Sequence, residues 1–167
     1  KLGLSMWGSN PQSPHAPILF EQIEKLKLKD LVLNINWLTL TSEHVVPKYL
    51  SEEIMHPLKA IKLEFLFQEY SENFVSKLCR TLNKANNLQR FSMVVSNILN
   101  NGSSVTTFSF TPILKELNGL TQLESFVFAG LDYELVNEDI TMLAALVRRN
   151  PKLKEFKLVV SNGVFTP

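Results

Sequence analysis

The sequence predicts an α/β fold in which parallel strands and helices alternate as stacked units of about 30 residues. Five similar segments begin at evenly spaced leucines, with one longer step before the fourth: Leu28, Leu58, Leu88, Leu123 and Leu153. Within each segment apolar residues occupy alternate positions, which is typical of a strand with one buried face. Between the segments apolar residues recur at helical spacing. Self-similarity at such a period indicates a solenoid, because neighbouring units must stack to bury a continuous core.

The alternation assigns three columns of inward-facing strand positions. They are Leu31, Ile61, Phe91, Phe126 and Phe156; Leu33, Leu63, Met93, Phe128 and Leu158; and Ile35, Phe65, Val95, Gly130 and Val160. A sixth strand is expected at residues 1–6, because Leu4 and Met6 lie almost one repeat before Leu33 and Ile35. We expect the phenylalanines of the first column to be core residues.

The first two helices are predicted from their boundaries. Pro17 is expected to bound the first helix, which carries Phe20 and Ile23. The second is expected over Glu43–Met55, with a late or kinked start at Pro47 because proline has no backbone N–H to donate.

The three later helices are each marked by three apolar residues at helical spacing. These are Val75, Leu78 and Leu82; Phe110, Ile113 and Leu117; and Ile140, Leu143 and Val147. Ser71 and Asn137 are the expected caps of the first and last of these helices. In the middle helix, Thr111-Pro112 is the expected start and Asn118-Gly119 the expected end.

Composition excludes several classes of protein. The 167 residues carry a net charge of +1, which argues against a strongly basic nucleic-acid binder. A single cysteine forbids an intrachain disulfide, and no apolar run approaches the length of a membrane-spanning helix. We therefore expect an intracellular protein of the cytoplasm or nucleus, with no membrane partner and with nucleic acid disfavoured as a partner.

The first unit carries a recognisable consensus. Its residues Leu28, Leu31, Leu33, Asn36 and Leu38 match LxxLxLxxNxL, and the chain resembles the leucine-rich repeat family. The other units depart at the asparagine position, where Leu66, Ser96, Leu131 and Ser161 stand. The length of the repeat is similar to that of the ribonuclease-inhibitor-like subclass. The resemblance implies a leucine-rich-repeat solenoid with parallel strands on the concave side and helices on the convex side. We expect residues 1–167 to be a single domain of this kind, excised from a longer repeat protein.

No pattern of residues supports catalysis. None of the three histidines has metal-ligand spacing to another histidine or to a cysteine, and no phosphate-binding glycine motif occurs. Cys79 lies between Leu78 and Leu82 and is interpreted as a small buried apolar residue rather than a nucleophile. We expect a protein that is not an enzyme, with no cofactor, no metal ion and no small-molecule substrate.

The outward-facing strand positions form the predicted binding surface. The candidate contact residues on it are Val32, Lys62, Arg90, Val94, Val127, Lys157 and Val159. The first half of this surface is charged and mixed, whereas Val94, Val127, Ala129 and Val159 make the second half apolar. An apolar patch can mark a contact site, and a valine-rich sheet can equally reflect strand propensity.

A second candidate site lies beyond the strand ends. Trp7, Trp37 and Phe67 recur at the interval of the repeat, which predicts a ladder of aromatic side chains along one rim. Such a ladder either contacts a partner, as aromatic hot-spot residues do, or seals the rim of the core.

For function, the sequence favours a non-enzymatic protein–protein recognition module of a larger intracellular protein. The resemblance implies relatives such as a NOD-like receptor or an F-box-type ubiquitin-ligase receptor. The alternative is a structural repeat segment that packs against other domains or subunits of its own assembly. In both cases the partner is another protein or a neighbouring domain.

Overall fold

Strands and helices alternate along the chain in the computed structural model, which describes residues 1–7, 15–36, 39–40, 50–67, 69–70, 72–97, 110–131 and 135–161. The strands are β1 (Leu2–Trp7), β2 (Asp30–Asn36), β3 (Thr39–Leu40), β4 (Ala60–Phe67), β5 (Glu69–Tyr70), β6 (Arg90–Asn97), β7 (Ser125–Leu131) and β8 (Glu155–Ser161). The helices are α1 (His15–Lys25), α2 (Glu52–Met55), α3 (Glu72–Leu82), α4 (Thr111–Leu117) and α5 (Asn137–Arg149).

Six strands form one parallel sheet in the order β1-β2-β4-β6-β7-β8. Each strand pairs with the preceding one in the register that the sequence predicts, so that Leu31 lies opposite Ile61 and Phe91 opposite Phe126. The longer interval before β7 leaves this register unchanged. The sixth strand is confirmed as β1, because Leu4 lies opposite Leu33. The sequence did not predict the second, two-stranded sheet of β3 and β5.

One face of the large sheet is buried against the helices. Ile61, Leu63, Phe91 and Phe128 are at most 2% exposed, as the column assignment predicts. The helix residues in the same cluster are Phe20, Ile23, Ile54, Met55, Leu78, Cys79, Leu82, Ile113, Leu114, Leu117, Leu143 and Leu146. The described helices and one sheet face therefore enclose a single apolar layer.

Phenylalanine rings continue this core from unit to unit. The ring centroids of Phe91 and Phe126 are 5.9 Å apart and those of Phe126 and Phe156 are 5.4 Å apart, with interplanar angles of 18° in both pairs. Phe110 of the helix layer lies 3.8 Å from Phe128 by ring centroids. The core prediction is wrong for Phe156, which is 44% exposed. Its strand, β8, has a neighbour on only one side among the described residues.

The first two helices differ from prediction at their starts. α1 begins at His15, so Pro17 lies inside its first turn, where a missing N–H costs no helical hydrogen bond. α2 covers only Glu52–Met55, and the Oγ of Ser51 caps it by accepting the N–H of Ile54 at 3.4 Å. Residues 43–49 of the predicted second helix lie outside the described residues.

The remaining helix boundaries agree with the sequence to within a residue or two. α3 begins at Glu72, directly after the predicted cap at residue 71. Residue 71 and the side chain of Val75 lie outside the described residues. Phe110, rather than Thr111, occupies the N-cap position of α4, and Asn118 is its C-cap as predicted. Val136, rather than Asn137, is the N-cap of α5.

The buried side of α5 is rotated from the predicted stripe. Leu143 and Leu146 are buried, whereas Ile140 is 54% and Val147 43% exposed, so the prediction that they face the core is wrong. The cause is Asp139, which is fully buried and accepts hydrogen bonds from the hydroxyl of Thr111 at 2.6 Å and the N–H of Val136 at 3.1 Å. A polar group can be buried where hydrogen bonds satisfy it, and this contact helps to fix the rotation of α5 against α4, together with the bond from Asn118 to the carbonyl of Met142.

One backbone contact repeats between successive units. The carbonyl of Lys29 accepts the N–H groups of Lys59 and Ala60, and the carbonyls of Lys59, Gln89 and Glu124 do the same for the next unit. The turn before β4, β6 and β8 also repeats, since the N–H of Leu58 donates to the carbonyl of Met55 at 3.1 Å, that of Leu88 to Ala85 at 3.0 Å and that of Leu153 to Asn150 at 3.0 Å.

The turn before β7 is closed by a side chain from the turn before β8. The Asn150 Oδ1 accepts the N–H of Leu123 at 2.8 Å, and its Nδ2 donates to the carbonyl of Leu120 at 3.0 Å. The same Nδ2 also donates to the carbonyl of Leu146 at 2.9 Å. The amide thus takes the place of the backbone bond that closes the other turns, at a residue that is 1% exposed.

Candidate functional site

The sheet face opposite the helices carries the candidate contact residues. We call it the open face, and it consists of three columns in register: Asp30, Ala60, Arg90, Ser125 and Glu155; Val32, Lys62, Ser92, Val127 and Lys157; and Asn34, Glu64, Val94, Ala129 and Val159. Every member whose side chain is described is at least partly exposed. The structure therefore brings all seven predicted contact residues of the sheet onto one surface.

Four charged residues of the open face form two ion pairs with each other. The Arg90 Nη2 lies 2.9 Å from the Asp30 Oδ1 and reaches it across the small side chain of Ala60 on the strand between them. Lys62 forms an ion pair with Glu64. The interactions of exposed pairs are worth at most about 1 kcal/mol each, so a partner can exchange them at low cost.

The apolar half of the open face is small. Val94, Ala129 and Val159 stand side by side in one column over β6–β8, and Val127 adjoins them in the next column. Val159 is 39% exposed, and the other three are half-buried. Lys157 lies two residues from Val159 on the same strand and is exposed. The patch offers a flat apolar contact beside one cation.

The predicted aromatic ladder is not in register. Trp7 lies opposite Asn36, and Asn36 lies opposite Leu66, so the column of Phe67 is one residue beyond that of Trp7. The prediction that Trp7 and Phe67 share one column is therefore wrong, because the step from β1 to β2 is one residue shorter than the step from β2 to β4. Trp37 lies outside the described residues, as do the side chains of Trp7 and Phe67, so contact of this rim with a partner stays a prediction.

Sequence reasoning missed a second surface at the end of the stack. It comprises Val136, Ile140 and Val147 along α5 and Phe156 on β8, which are between 43% and 54% exposed. Apolar periodicity assigned Ile140, Val147 and Phe156 to the core. Their exposure follows from the burial of Asp139 on α5 and from the edge position of β8, which the sequence pattern does not indicate.

The titratable groups of the described residues were compared with the needs of a metal site and of a reactive side chain. They contain no group of three or more histidine, cysteine, aspartate or glutamate residues that could hold a metal ion. The pKa of Glu124 is lowered by a hydrogen bond from Lys154, at 2.8 Å, and by the positive charge of that residue. This pair links two successive units and orients no reactive group.

Cys79 is buried, as the sequence predicts, with 5% of its side chain exposed. Burial, with a smaller effect from the negative charge of Glu116, raises the pKa of its thiol from the ordinary 9.0 to about 11. The thiolate is the reactive form of cysteine, so this residue is suited to packing rather than to nucleophilic attack.

We expect Cys79 to resist an aromatic disulfide reagent at pH 8 in the folded protein and to react once the protein is unfolded.

Because the folded pKa of Cys79 is raised, the free energy of unfolding should fall as pH rises from 9 to 11, by up to about 2–3 kcal/mol. The difference between wild type and Cys79→Ala across this pH range measures the effect. A pH-independent difference would contradict it.

Comparisons with protein-family models, with curated proteins and with solved structures give no match to this chain. Within the described residues no helix is long and apolar enough to cross a membrane.

Proposed function

We propose that the chain is a leucine-rich-repeat array whose open face recognises another protein, as a non-enzymatic module of a larger intracellular protein. The observation that carries this proposal is the open face itself, where side chains of five parallel strands stand in three aligned columns and every described one is at least partly exposed. Repeat proteins bind on surfaces of this kind because stacked strands present aligned columns of side chains.

The composition of the open face supports a protein as the ligand. Paired charges such as Arg90 with Asp30 lie beside the small apolar patch, and protein interfaces commonly combine an apolar centre with a polar rim. In this proposal the strands line the concave side and the helices the convex side.

The test places bulk and charge in the middle of the open face. Ser92 and Val127 are neighbours in the central column and are half-buried, so Ser92→Arg with Val127→Arg changes the surface without cutting an ion pair. A photo-cross-linking residue at Val94 should capture a discrete partner in cells, and the double variant should reduce that capture by about tenfold or more.

The matched control is Ala144→Arg, since Ala144 is exposed on α5, away from the open face. It should leave the capture at Val94 unchanged. Equal loss in both variants, with an unchanged circular dichroism spectrum, would contradict recognition by the open face.

A second candidate function is structural packing against another domain of the same assembly. The patch of Val94, Val127, Ala129 and Val159 favours it, because flat apolar surfaces are usual at permanent contacts. In that case the cross-link at Val94 joins two segments of one polypeptide or two subunits of one complex, and the two parts also co-purify without cross-linking.

A further inference from the structure

Polar side chains join α5 to α4 along the length of the two helices. Near their starts, the hydroxyl of Thr111 donates to the carboxylate of Asp139 at 2.6 Å. Near the end of α4, the Nδ2 of Asn118 donates to the carbonyl of Met142 at 3.0 Å. Two further links between these elements are the ion pair of Lys115 with Glu138, at 2.8 Å, and the hydrogen bond from Arg149 to the carbonyl of Asn118, at 3.0 Å. The two helices are therefore held in one position relative to each other.

Polar side chains also join β8 to β7 and link the turns before these strands. The hydroxyl of Ser125 donates to the carboxylate of Glu155 at 2.6 Å, and the Nζ of Lys154 lies 2.8 Å from the carboxylate of Glu124. In the turns, the side chain of Asn150 supplies the link described above. The polar links thus extend from the helix layer through the turns to the sheet.

Four of the five buried polar residues in the described part of the chain belong to these links: Thr111, Asn118, Asp139 and Asn150. A small separation of α5 from α4 would leave their donors and acceptors without partners before water could reach them, which is unfavourable. We therefore expect the two helices either to stay together or to separate completely.

The junction between β6 and β7 depends on ring stacking and on the backbone ladder. Phe91 stacks on Phe126 at 5.9 Å between ring centroids, and the carbonyl of Gln89 accepts the N–H groups of Glu124 and Ser125. The same two kinds of contact join β7 to β8, where the polar links come in addition. Among the contacts of the described residues, the junction between β7 and β8 is thus the stronger of the two.

We propose that α4, β7, α5 and β8 open together as one block while β2, β4 and β6 stay paired, so that the stack parts between β6 and β7. A repeat array can open unit by unit, because each unit contacts only its neighbours, and native proteins open in contiguous segments. Here the polar links prevent α5 and β8 from opening alone. The inference concerns the fold and does not depend on the proposed function.

The boundary of the block divides the open face. The ion pairs of Arg90 with Asp30 and of Lys62 with Glu64 lie on β2, β4 and β6, whereas Val127 lies on the block. A ligand that contacts both parts would bind only while they are together. Its binding would therefore slow the opening of the block.

Backbone amides report the three junctions separately. In a parallel ladder every second residue donates to the same neighbouring strand, and Arg90, Ser125 and Glu155 each donate to the unit before them. The reporting amides for the β4–β6, β6–β7 and β7–β8 junctions are therefore, in that order, Ser92 and Val94, Val127 and Ala129, and Lys157 and Val159.

The test is native-state hydrogen exchange, followed by NMR on the full chain, with the variant Leu143→Ala. Leu143 is buried on α5, and its truncation opens a cavity in the block. The amides of Val127 and Ala129 should exchange at least about thirtyfold faster, together with those of Lys157 and Val159. The amides of Ser92 and Val94 should change by less than about threefold. In the unsubstituted chain at low urea, the β6–β7 and β7–β8 amides should exchange within about threefold of each other.

A second variant tests whether the polar links hold the block together. Thr111→Val with Ser125→Ala removes one link between the helices and one between the strands. The β7–β8 amides should then exchange at least about tenfold faster than the β6–β7 amides. The matched control is Asn87→Ala, which removes a side-chain bond to the carbonyl of His56 in the earlier part of the stack. It should leave the two sets of amides equal.

Three results would overturn the proposal. The first is faster exchange in Leu143→Ala at the β7–β8 amides alone, since α5 and β8 would then open by themselves. The second is equal acceleration at all three junctions, which would mean that the whole stack opens at once. The third is equal exchange of the β6–β7 and β7–β8 amides in the Thr111→Val, Ser125→Ala variant, because the polar links would then not define the block.

Discussion

Replacing Phe126 with alanine should lower the free energy of unfolding by about 3–5 kcal/mol, because the substitution opens a cavity in a core that cannot fully collapse. Phe126 is fully buried, and its ring lies between those of Phe91 and Phe156. It also contacts Phe110, at 6.5 Å between ring centroids, so the loss reaches both the sheet and the helix layer. Urea unfolding followed by circular dichroism measures the change.

Phe156→Ala is the matched control for this prediction. It occupies the same column and stacks on the same ring, but 44% of it is exposed, so we expect a cost of only about 1–2 kcal/mol. Equal costs at the two positions would mean that Phe156 is covered in solution and would contradict the exposed end of the stack.

Replacing Asn150 with alanine should cost about 3–4 kcal/mol, through hydrogen bonds rather than through volume. The variant leaves the N–H of Leu123 and the carbonyl of Leu120 buried without their partner, and each such loss costs about 1–3 kcal/mol. Thermal unfolding and hydrogen exchange at the Leu123 amide both report this change.

Asn87→Ala provides the comparison for Asn150→Ala. The Nδ2 of Asn87 also donates to a backbone carbonyl of the preceding unit, that of His56, at 2.9 Å, but in an exposed position. Water can replace that bond, so the cost should stay within about 1 kcal/mol. If Asn150→Ala costs no more than Asn87→Ala, the amide is not the required link between the two units.

The strands and their register could be predicted because they depend on residues that are close together in the sequence. Period-two alternation and equal intervals determine which residues stand side by side, and the register of Leu31 with Ile61 and of Phe91 with Phe126 follows from them. The same reasoning placed Lys62, Val94 and Val159 on one surface. The failure at Trp7 has a local cause too, since the first step between strands is one residue shorter than the next.

The last unit could not be predicted in this way, because its burial depends on contacts distant in sequence. Ile140 fits an apolar helical stripe, but the hydrogen bond between Thr111 and Asp139 turns it outward. Phe156 fits the core column, but its exposure depends on what lies beside β8. Asn150 looks in the sequence like an ordinary residue at a helix end. Its role depends on the folded structure, where its side-chain amide bonds to Leu123 and Leu120 of the turn before β7.

The bridge from Asn150 also has a consequence for the order in which the chain acquires structure. The turn before β6 is closed by its own backbone, because the N–H of Leu88 donates to the carbonyl of Ala85. Such a turn can form from residues three apart in the chain. The turn at Leu123 obtains its partner from a residue 27 positions later in the chain. The turn before β7 is thus completed only when the end of α5 docks onto it, so during synthesis from the N-terminus this turn forms late and couples β7 and α5 into a single cooperative step.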